Sequence, residues 1–310
     1  MKILITGGLG HIGSYILQNI NKIKIIKKVY IIDNLSTQRY ASLFDIKNKN
    51  KKIYFIEKDL SKKRALNKFI KVDVVLNLAS ITDAAGSLKI KKKIYKNNLG
   101  IFDNVLNYCK RNSSKLIHIS STSVYGEQKG VVDEKCKFLK PKSPYAEVKL
   151  IEEKRLKKLK NNFSFISYRF GTISGFSPGM RFHTVVNKFC LSCSLGLPLP
   201  VWKGAANKPK PYLSLNDAFL VIKYTLEQNF FKNDVYNILS ENLTLETLIS
   251  YYKKSKRKIK IKYQKSKLIN QYPYEISNKK FTHEAFRLKS KISNDIKLTL
   301  KKFKYLSNEM

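Results

Sequence analysis

A tyrosine and a lysine four residues apart, Tyr145 and Lys149 in Ser-Pro-Tyr-Ala-Glu-Val-Lys, are the side chains best spaced for acid–base chemistry. On a helix of 3.6 residues per turn both lie on one face. A free phenol, with a pKa of about 10, is a poor base at neutral pH. An ammonium within a few ångströms favours the phenolate and turns it into a usable one. Such a pair is also a common solvated contact on a helix surface, so its neighbours must give it meaning. Upstream, the apolar run ending at Ile119 passes into Ser120-Ser121-Thr122-Ser123-Val124-Tyr125-Gly126. A hydroxyl at the end of that strand can hydrogen-bond the same substrate oxygen as the phenol.

The group on which such a pair could act is suggested by the other end of the chain. Ile3 to Ile5 is an apolar run that breaks into glycines three apart, Gly7, Gly10 and Gly13. Ile12, Ile16, Leu17 and Ile20 follow at helical spacing. A strand, a tight turn and a helix are expected, with glycine where φ can be positive and where phosphates approach the backbone. The helix start at His11, Ile12 and Gly13 offers free N–H groups and a partial positive charge to an anion. A second apolar run, Val29 to Ile32, ends in Asp33, at about the 20-residue distance of the acid that binds a ribose 2′-hydroxyl. A carboxylate there repels a 2′-phosphate, so NAD is favoured over NADP.

The elements that would hold these groups alternate. Ile53 to Ile56 reads as a strand, Lys62 to Ile70 as a short helix, and Val72 to Leu76 as a strand. Asn97 to Lys110 has helical spacing, Leu116 to Ile119 is a strand, Pro144 to Lys160 a helix, and Phe165 to Tyr168 a further strand. Ser143 is a suitable N-cap for the Pro144 helix, with proline at its first position. The alternation implies an α/β fold, a Rossmann-type doubly wound parallel sheet with ligands at the carboxyl ends of its strands. Gly7, Asp33, Asp59, Ala79 and Ser120 stand at such ends. Residues 1–170 are read as the dinucleotide-binding domain and 171–310 as a smaller C-terminal α/β substrate-binding portion, with segments free to cross back. In the latter a helix is expected over Phe182 to Leu195, a short element at Tyr212 to Leu215, a helix from Asn216 and a strand at Val235 to Ile238.

Composition narrows the classes. The four cysteines include one Cys-x-x-Cys pair, Cys190 and Cys193, without a second pair or suitably spaced histidines, so no metal site is expected. The pair sits in an apolar helical pattern with Val185, Val186 and Phe189, and all four are read as reduced thiols. No apolar run reaches the roughly 18 residues of a membrane span, and the N-terminus enters a strand directly, so a cytoplasmic protein is expected. Lysine and arginine number 61 against 22 acids, a net charge of +39. Nucleic acid is the obvious partner for such a charge. The basic residues are instead scattered, lysine-dominated and accompanied by abundant isoleucine and asparagine, as A/T-rich coding sequence would give. Nucleic acid is therefore disfavoured, and the densest run, Lys253 to Lys267 with Ile259, Ile261 and Tyr263, reads as a solvated edge strand.

Taken together, these motifs resemble the extended short-chain dehydrogenase/reductases, specifically the NAD-dependent epimerase/dehydratase family of nucleotide-sugar metabolism, over nearly the whole chain. The resemblance is carried by Thr-Gly-Gly-x-Gly-x-x-Gly, Asp33-Asn34, Asp59-Leu60, Leu78-Ala79-Ser80, Asn97-x-x-Gly100, Ser121 before Val124-Tyr125-Gly126, and Pro144-Tyr145-x-x-x-Lys149. It implies NAD held by the glycine turn, Asp33, Asn34, Asp59, Leu60, Leu78, Ala79, Ser80, Asn97, Tyr145 and Lys149. It further implies catalysis by Ser121, Tyr145 as acid/base, and Lys149. Thr122 and Ser123 would face the substrate. Thr172 takes the place of an asparagine that contacts substrate in the family, Asn187 falls near the substrate diphosphate, and Lys210 replaces an arginine that grips it. Lysine keeps the charge but loses the bidentate fork. Arg181 and His183 fit either substrate contact or a structural role.

Three reactions share this scaffold. The resemblance implies that dehydratases place an acidic pair just after the catalytic hydroxyl, where this chain has Thr122 and Ser123. Net reductases usually take NADPH, which Asp33 disfavours. A 4-epimerase is the preferred reading, with a nucleotide sugar as partner and a homodimer allowed. The alternatives are a dehydratase or reductase of the family, or a non-catalytic protein that binds NAD or nucleic acid.

Overall fold

Seven apolar strands pair side by side in the computed structural model of the chain, which describes residues 1–44, 46, 48, 50–82, 86–159, 162–202, 206–254, 259–264 and 274–306. The first half contributes β1 (Lys2–Thr6), α1 (His11–Gln18), β2 (Lys28–Asp33), β3 (Lys52–Glu57), β4 (Val74–Asn77), α2 (Lys91–Asn112) and β5 (Lys115–Ser121). Next come β6 (Val131–Val132), α3 (Pro144–Lys157), β7 (Phe165–Phe170), β8 (Thr172–Ser174), α4 (Val185–Ser194), β9 (Leu199–Trp202) and β10 (Lys210–Ser214). The chain then forms α5 (Leu215–Glu227), β11 (Val235–Ile238), β12 (Glu241–Leu243), α6 (Leu245–Lys253), β13 (Ile261–Gln264), β14 (Glu275–Ile276), α7 (Lys279–Glu284) and α8 (Ile292–Lys302).

The large sheet has the order β11-β7-β5-β4-β1-β2-β3 and is parallel throughout. Strand periodicity sorts its side chains into two cores. Ile3, Ile5, Ile117, Ile119, Ile166 and Tyr168 face the layer containing α1 and α5. Leu4, Tyr30, Leu116 and Phe165 face α2 and α3. This is the doubly wound Rossmann-type arrangement expected from the alternation of elements. Beyond Gly171 the chain leaves the sheet and then returns to it: α5 packs Phe219 edge-on against Tyr15 of α1, and β11 pairs with β7 from Val235↔Ser167 to Ile238↔Phe170. A separate core of Val186, Phe189, Cys190, Leu248, Tyr252 and Ile296 unites α4, α6 and α8. The four cysteines are free thiols, Cys109, Cys190 and Cys193 buried.

Several boundaries differ from the sequence reading. Residues 62–70 form successive turns rather than a helix. Arg64 adopts φ +56°, and Ala65, Asn67 and Phe69 donate to carbonyls only three residues back. Side chains of α2 take the carbonyls a helix would have used: Asn104 bonds Leu60 O and Lys62 O, and Arg111 bonds Leu66 O and Asn67 O. The helix read from Asn97 begins six residues earlier, because Ile94 already falls on the buried stripe of Asn98, Ile101 and Phe102. That read from Phe182 begins only at Val185, since Phe182 is exposed and Asn187 bonds back to Arg181 O. In the basic run β13 does form, pairing with β9, while residues 255–258 and 265–267 lie outside the described residues, as does Lys160.

Candidate active site

A cleft of about 1010 Å³ runs along the carboxyl ends of the strands. Its first end is the glycine turn. Gly7 has φ +62°, and a Cβ there would fall 2.7 Å from the Ala79 backbone, so the turn and the end of β4 approach as closely as only glycine permits. A Cβ on Gly13 would lie 2.3 Å from Gly8 O, which fixes α1 against the turn. Thr6 Oγ1 donates to Asn77 Oδ1 at 2.7 Å and accepts from Ala79 N at 3.2 Å, tying β1 to β4. His11, Ile12 and Gly13 line the cleft with the opening N–H groups of α1, which have no intrahelical partner. The His11 ring itself is spent elsewhere. Its Nε2 pairs with Gly175 O at 2.8 Å, and burial pushes its pKa down to about 3, so the ring is neutral.

Asp33, at the end of β2, is held by two backbone donors, Leu9 N at 3.1 Å and Leu35 N at 3.0 Å, while still lining the cleft. Asn34, Asp59, Leu60, Leu78, Ala79, Ser80 and Asn97 also reach it. The fit to a dinucleotide is therefore physical. Glycines leave the floor open, helix N–H groups face it, and a fixed carboxylate stands at the neighbouring strand end.

The reacting end gathers residues from three elements. Ser121 ends β5, Tyr145 and Lys149 come from α3, and Thr172 begins β8; all line the same cleft. Helix α3 starts where expected, with Ser143 Oγ accepting from Ala146 N at 3.3 Å and Pro144 in the first turn. Ser121 Oγ accepts from Ser123 N at 3.2 Å and from Ser123 Oγ at 2.9 Å. With its lone pairs engaged, its own hydrogen is the part left to donate. Lys149 Nζ lies 6.0 Å from the Tyr145 ring centroid and only 3% of the residue is exposed. Thr122 and Ser123 line the cleft as hydroxyls, and Tyr274 reaches Thr122 by a hydrogen bond. Nothing in the local sequence around Tyr274 signalled that contact.

Lys142, Arg181, Lys188 and Lys210 supply positive charge to this end, and His183 lines it. Burial lowers the Lys210 ammonium to about 8. Among the described residues lining the cleft, the carboxylates are Asp33 and Asp59 alone. One expected residue is not brought here. Asn187 is fully buried under α4, donates to Arg181 O at 3.0 Å, and does not line the cleft; the adjacent Lys188 does. Helical geometry turns successive residues by about 100°, so a neighbour of a cleft residue can point into the core.

Residues 3–238 match the family model described as NAD dependent epimerase/dehydratase. The chain is 31% identical over 197 residues to an uncharacterized UDP-glucose epimerase, YtcB, of Bacillus subtilis, covering 61% of this chain and 62% of that one. It spans, accordingly, about three fifths of that relative's length. Among solved structures, a UDP-glucuronic acid 4-epimerase from Bacillus cereus superposes with a TM-score of 0.82 at 26% identity, over 98% of this chain and 99% of that one. A UDP-N-acetylglucosamine 4-epimerase from Methanobrevibacter ruminantium shares the fold, with a TM-score of 0.85 at 23% identity over 97% of each chain.

Proposed function

Because this chain belongs to the NAD dependent epimerase/dehydratase family, we propose that it is an NAD-dependent nucleotide-sugar 4-epimerase. The observation that carries the reading is the chemistry beside Ser121: hydroxyls, Thr122 and Ser123, stand there, and no carboxylate among the described residues lines that end of the cleft. Elimination of water would call for an acid and a base at those positions. Bound NAD supplies a hydride acceptor and, on return, a hydride donor. The protein's own groups handle the proton. Tyr145 takes it from the sugar hydroxyl and later gives it back, Ser121 donates a hydrogen bond to the same oxygen, and Lys149 holds its ammonium beside the Tyr145 ring. Since the proton and the hydride both come back, the cycle is closed and consumes no cosubstrate.

The proposed nucleotide diphosphate lies toward Arg181, Lys188 and Lys210. Lys210 is charged below about 8 and neutral above it in the free protein, because burial disfavours its ammonium. Binding to a dianion requires the ammonium, so KM for the nucleotide sugar is expected to rise as pH climbs from 7 to 9. In Lys210→Arg the rise should disappear, since guanidinium keeps its proton. A KM profile unchanged by that substitution would remove Lys210 from the diphosphate site.

The reading itself is tested by incubating the protein and NAD with UDP-, dTDP-, GDP- and CDP-sugars and following products by NMR. A C4-inverted sugar without net accumulation of reduced cofactor is expected. A 4-keto-6-deoxy product would mean a dehydratase instead, and no turnover of any sugar would overturn the reading.

A further inference from the structure

Directly beneath the Tyr145–Lys149 pair lies a column of charge that the proposed reaction does not use. Lys149 Nζ donates to Glu152 Oε2 at 2.9 Å, and both residues are buried, 3% and 2% exposed. On the far side of the carboxylate is His118 of β5, with Nε2 3.4 Å from Glu152 Oε2. That approach is not a hydrogen bond: neither ring nitrogen has a partner, although the residue is fully buried. The imidazole is packed edge-on to Phe102 of α2, ring centroids 5.4 Å apart.

Period and layer explain the meeting. His118 and Ser120 project from β5 toward α3, while Ile117 and Ile119 project the other way into the opposite core. Lys149 and Glu152 are three apart on α3 and so adjacent on its surface. The other charges around Glu152 are already engaged. Glu153 is gripped by Arg169 of β7, with Nε to Oε1 at 3.0 Å and Nη2 to Oε2 at 2.7 Å. Arg155 pairs with Asp103 of α2. Glu152 is thus left facing Lys149 and a neutral ring.

We propose that Glu152 is a positioning residue: the fixed counter-ion that keeps the Lys149 ammonium aimed at Tyr145. The proposal rests on Tyr145 being the acid/base of the function above. An isolated ammonium so deeply buried would shed its proton. Burial is the strongest single influence and works to lower Lys149, yet Glu152, first among the groups that oppose it, together with Tyr145 and Glu153 holds the ammonium above the usual lysine range. Burial together with the Lys149 charge keeps His118 well below the usual histidine range, so the ring adds no competing positive charge. The column is one cation, one anion and one neutral ring, with the cation nearest the phenol.

The test is direct titration of Lys149 by NMR in protein labelled with [ε-13C]lysine, its signal assigned by disappearance in Lys149→Met. In Glu152→Gln, which keeps shape and removes charge, the Lys149 titration is expected to fall by at least about one pH unit, on the scale that burial alone imposes. The alkaline limb of the kcat profile should fall with it while KM for the nucleotide sugar holds steady. Glu152→Asp draws the charge back by one carbon and should give a smaller fall in the same direction. It also provides the reading if Glu152→Gln does not fold. A Lys149 titration unmoved in the variants would overturn the proposal. Absence of turnover in the parent protein would instead sink the epimerase reading, and the NMR arm would still report on Glu152.

Discussion

Tyr145→Phe is expected to cut turnover by about 10²–10⁴-fold, the loss that follows removal of a general acid/base. The substitution deletes one oxygen from a half-buried ring at the start of α3. No hydrogen bond of the helix depends on that oxygen, because the cap is made by Ser143 and Pro144. Thermal stability should therefore match the parent protein. The loss should appear in kcat, since the lost interaction is one made while the proton moves and not while the substrate is merely held. Steady-state rates on the sugar identified by the NMR panel measure it. Turnover within a few-fold of the parent would remove Tyr145 from the chemistry.

The largest effect on stability is expected one layer below. Arg169, on β7, bonds Glu153 through Nε and Nη2 and Tyr125 Oη through Nη1 at 2.8 Å, and its guanidinium lies 4.8 Å from the Tyr125 ring centroid. Glu153 in turn accepts from Ser120, the residue before the proposed catalytic hydroxyl. Arg169→Met leaves a 4%-exposed carboxylate without its cation. Breaking a buried pair in this way costs about 3–5 kcal/mol, whereas replacing both partners with apolar groups of similar volume is often near neutral. The double variant Arg169→Met/Glu153→Leu should accordingly recover most of the loss in urea unfolding. Equal instability in the single and double variants would show that the pair's hydrogen bonds to Ser120 and Tyr125, rather than the stranded charge, dominate.

How much of this was legible in the chain depended on the distance over which each signal acts. The glycine turn, Asp33 and the Ser143–Pro144 start of α3 are local. Strand, turn, cap and helix lie within a few residues of one another, and the spacing alone carries the geometry. Thr172 and Lys210 reach the cleft from the starts of β8 and β10, parallel neighbours in a separate three-stranded sheet. Asn187 does not, because a helix position one residue off the cleft face points inward. The turns at 62–70 escaped notice for a related reason: their carbonyls are satisfied by Asn104 and Arg111, some forty residues away. The His118–Glu152–Lys149 column and Tyr274 join separate layers, and no periodicity within one segment reports a contact between two. His11 lines the cleft, while its ring pairs with Gly175 O across the molecule, a contact no local spacing reports.

The return of β11 to the sheet has a consequence for the chain as it leaves the ribosome. All six residues of β7 are buried in the finished protein, and β11 pairs along one edge of that strand. Synthesis delivers β7 first and β11 well over fifty residues later, a delay of several seconds at roughly 5–20 residues per second. Throughout it, Phe165, Ile166, Tyr168 and Phe170 sit on an open edge with unpaired N–H and C=O groups, the kind of edge that recruits other chains. The yield of folded protein is then governed by how quickly the late strand follows the early one, as well as by the stability of the sheet they complete.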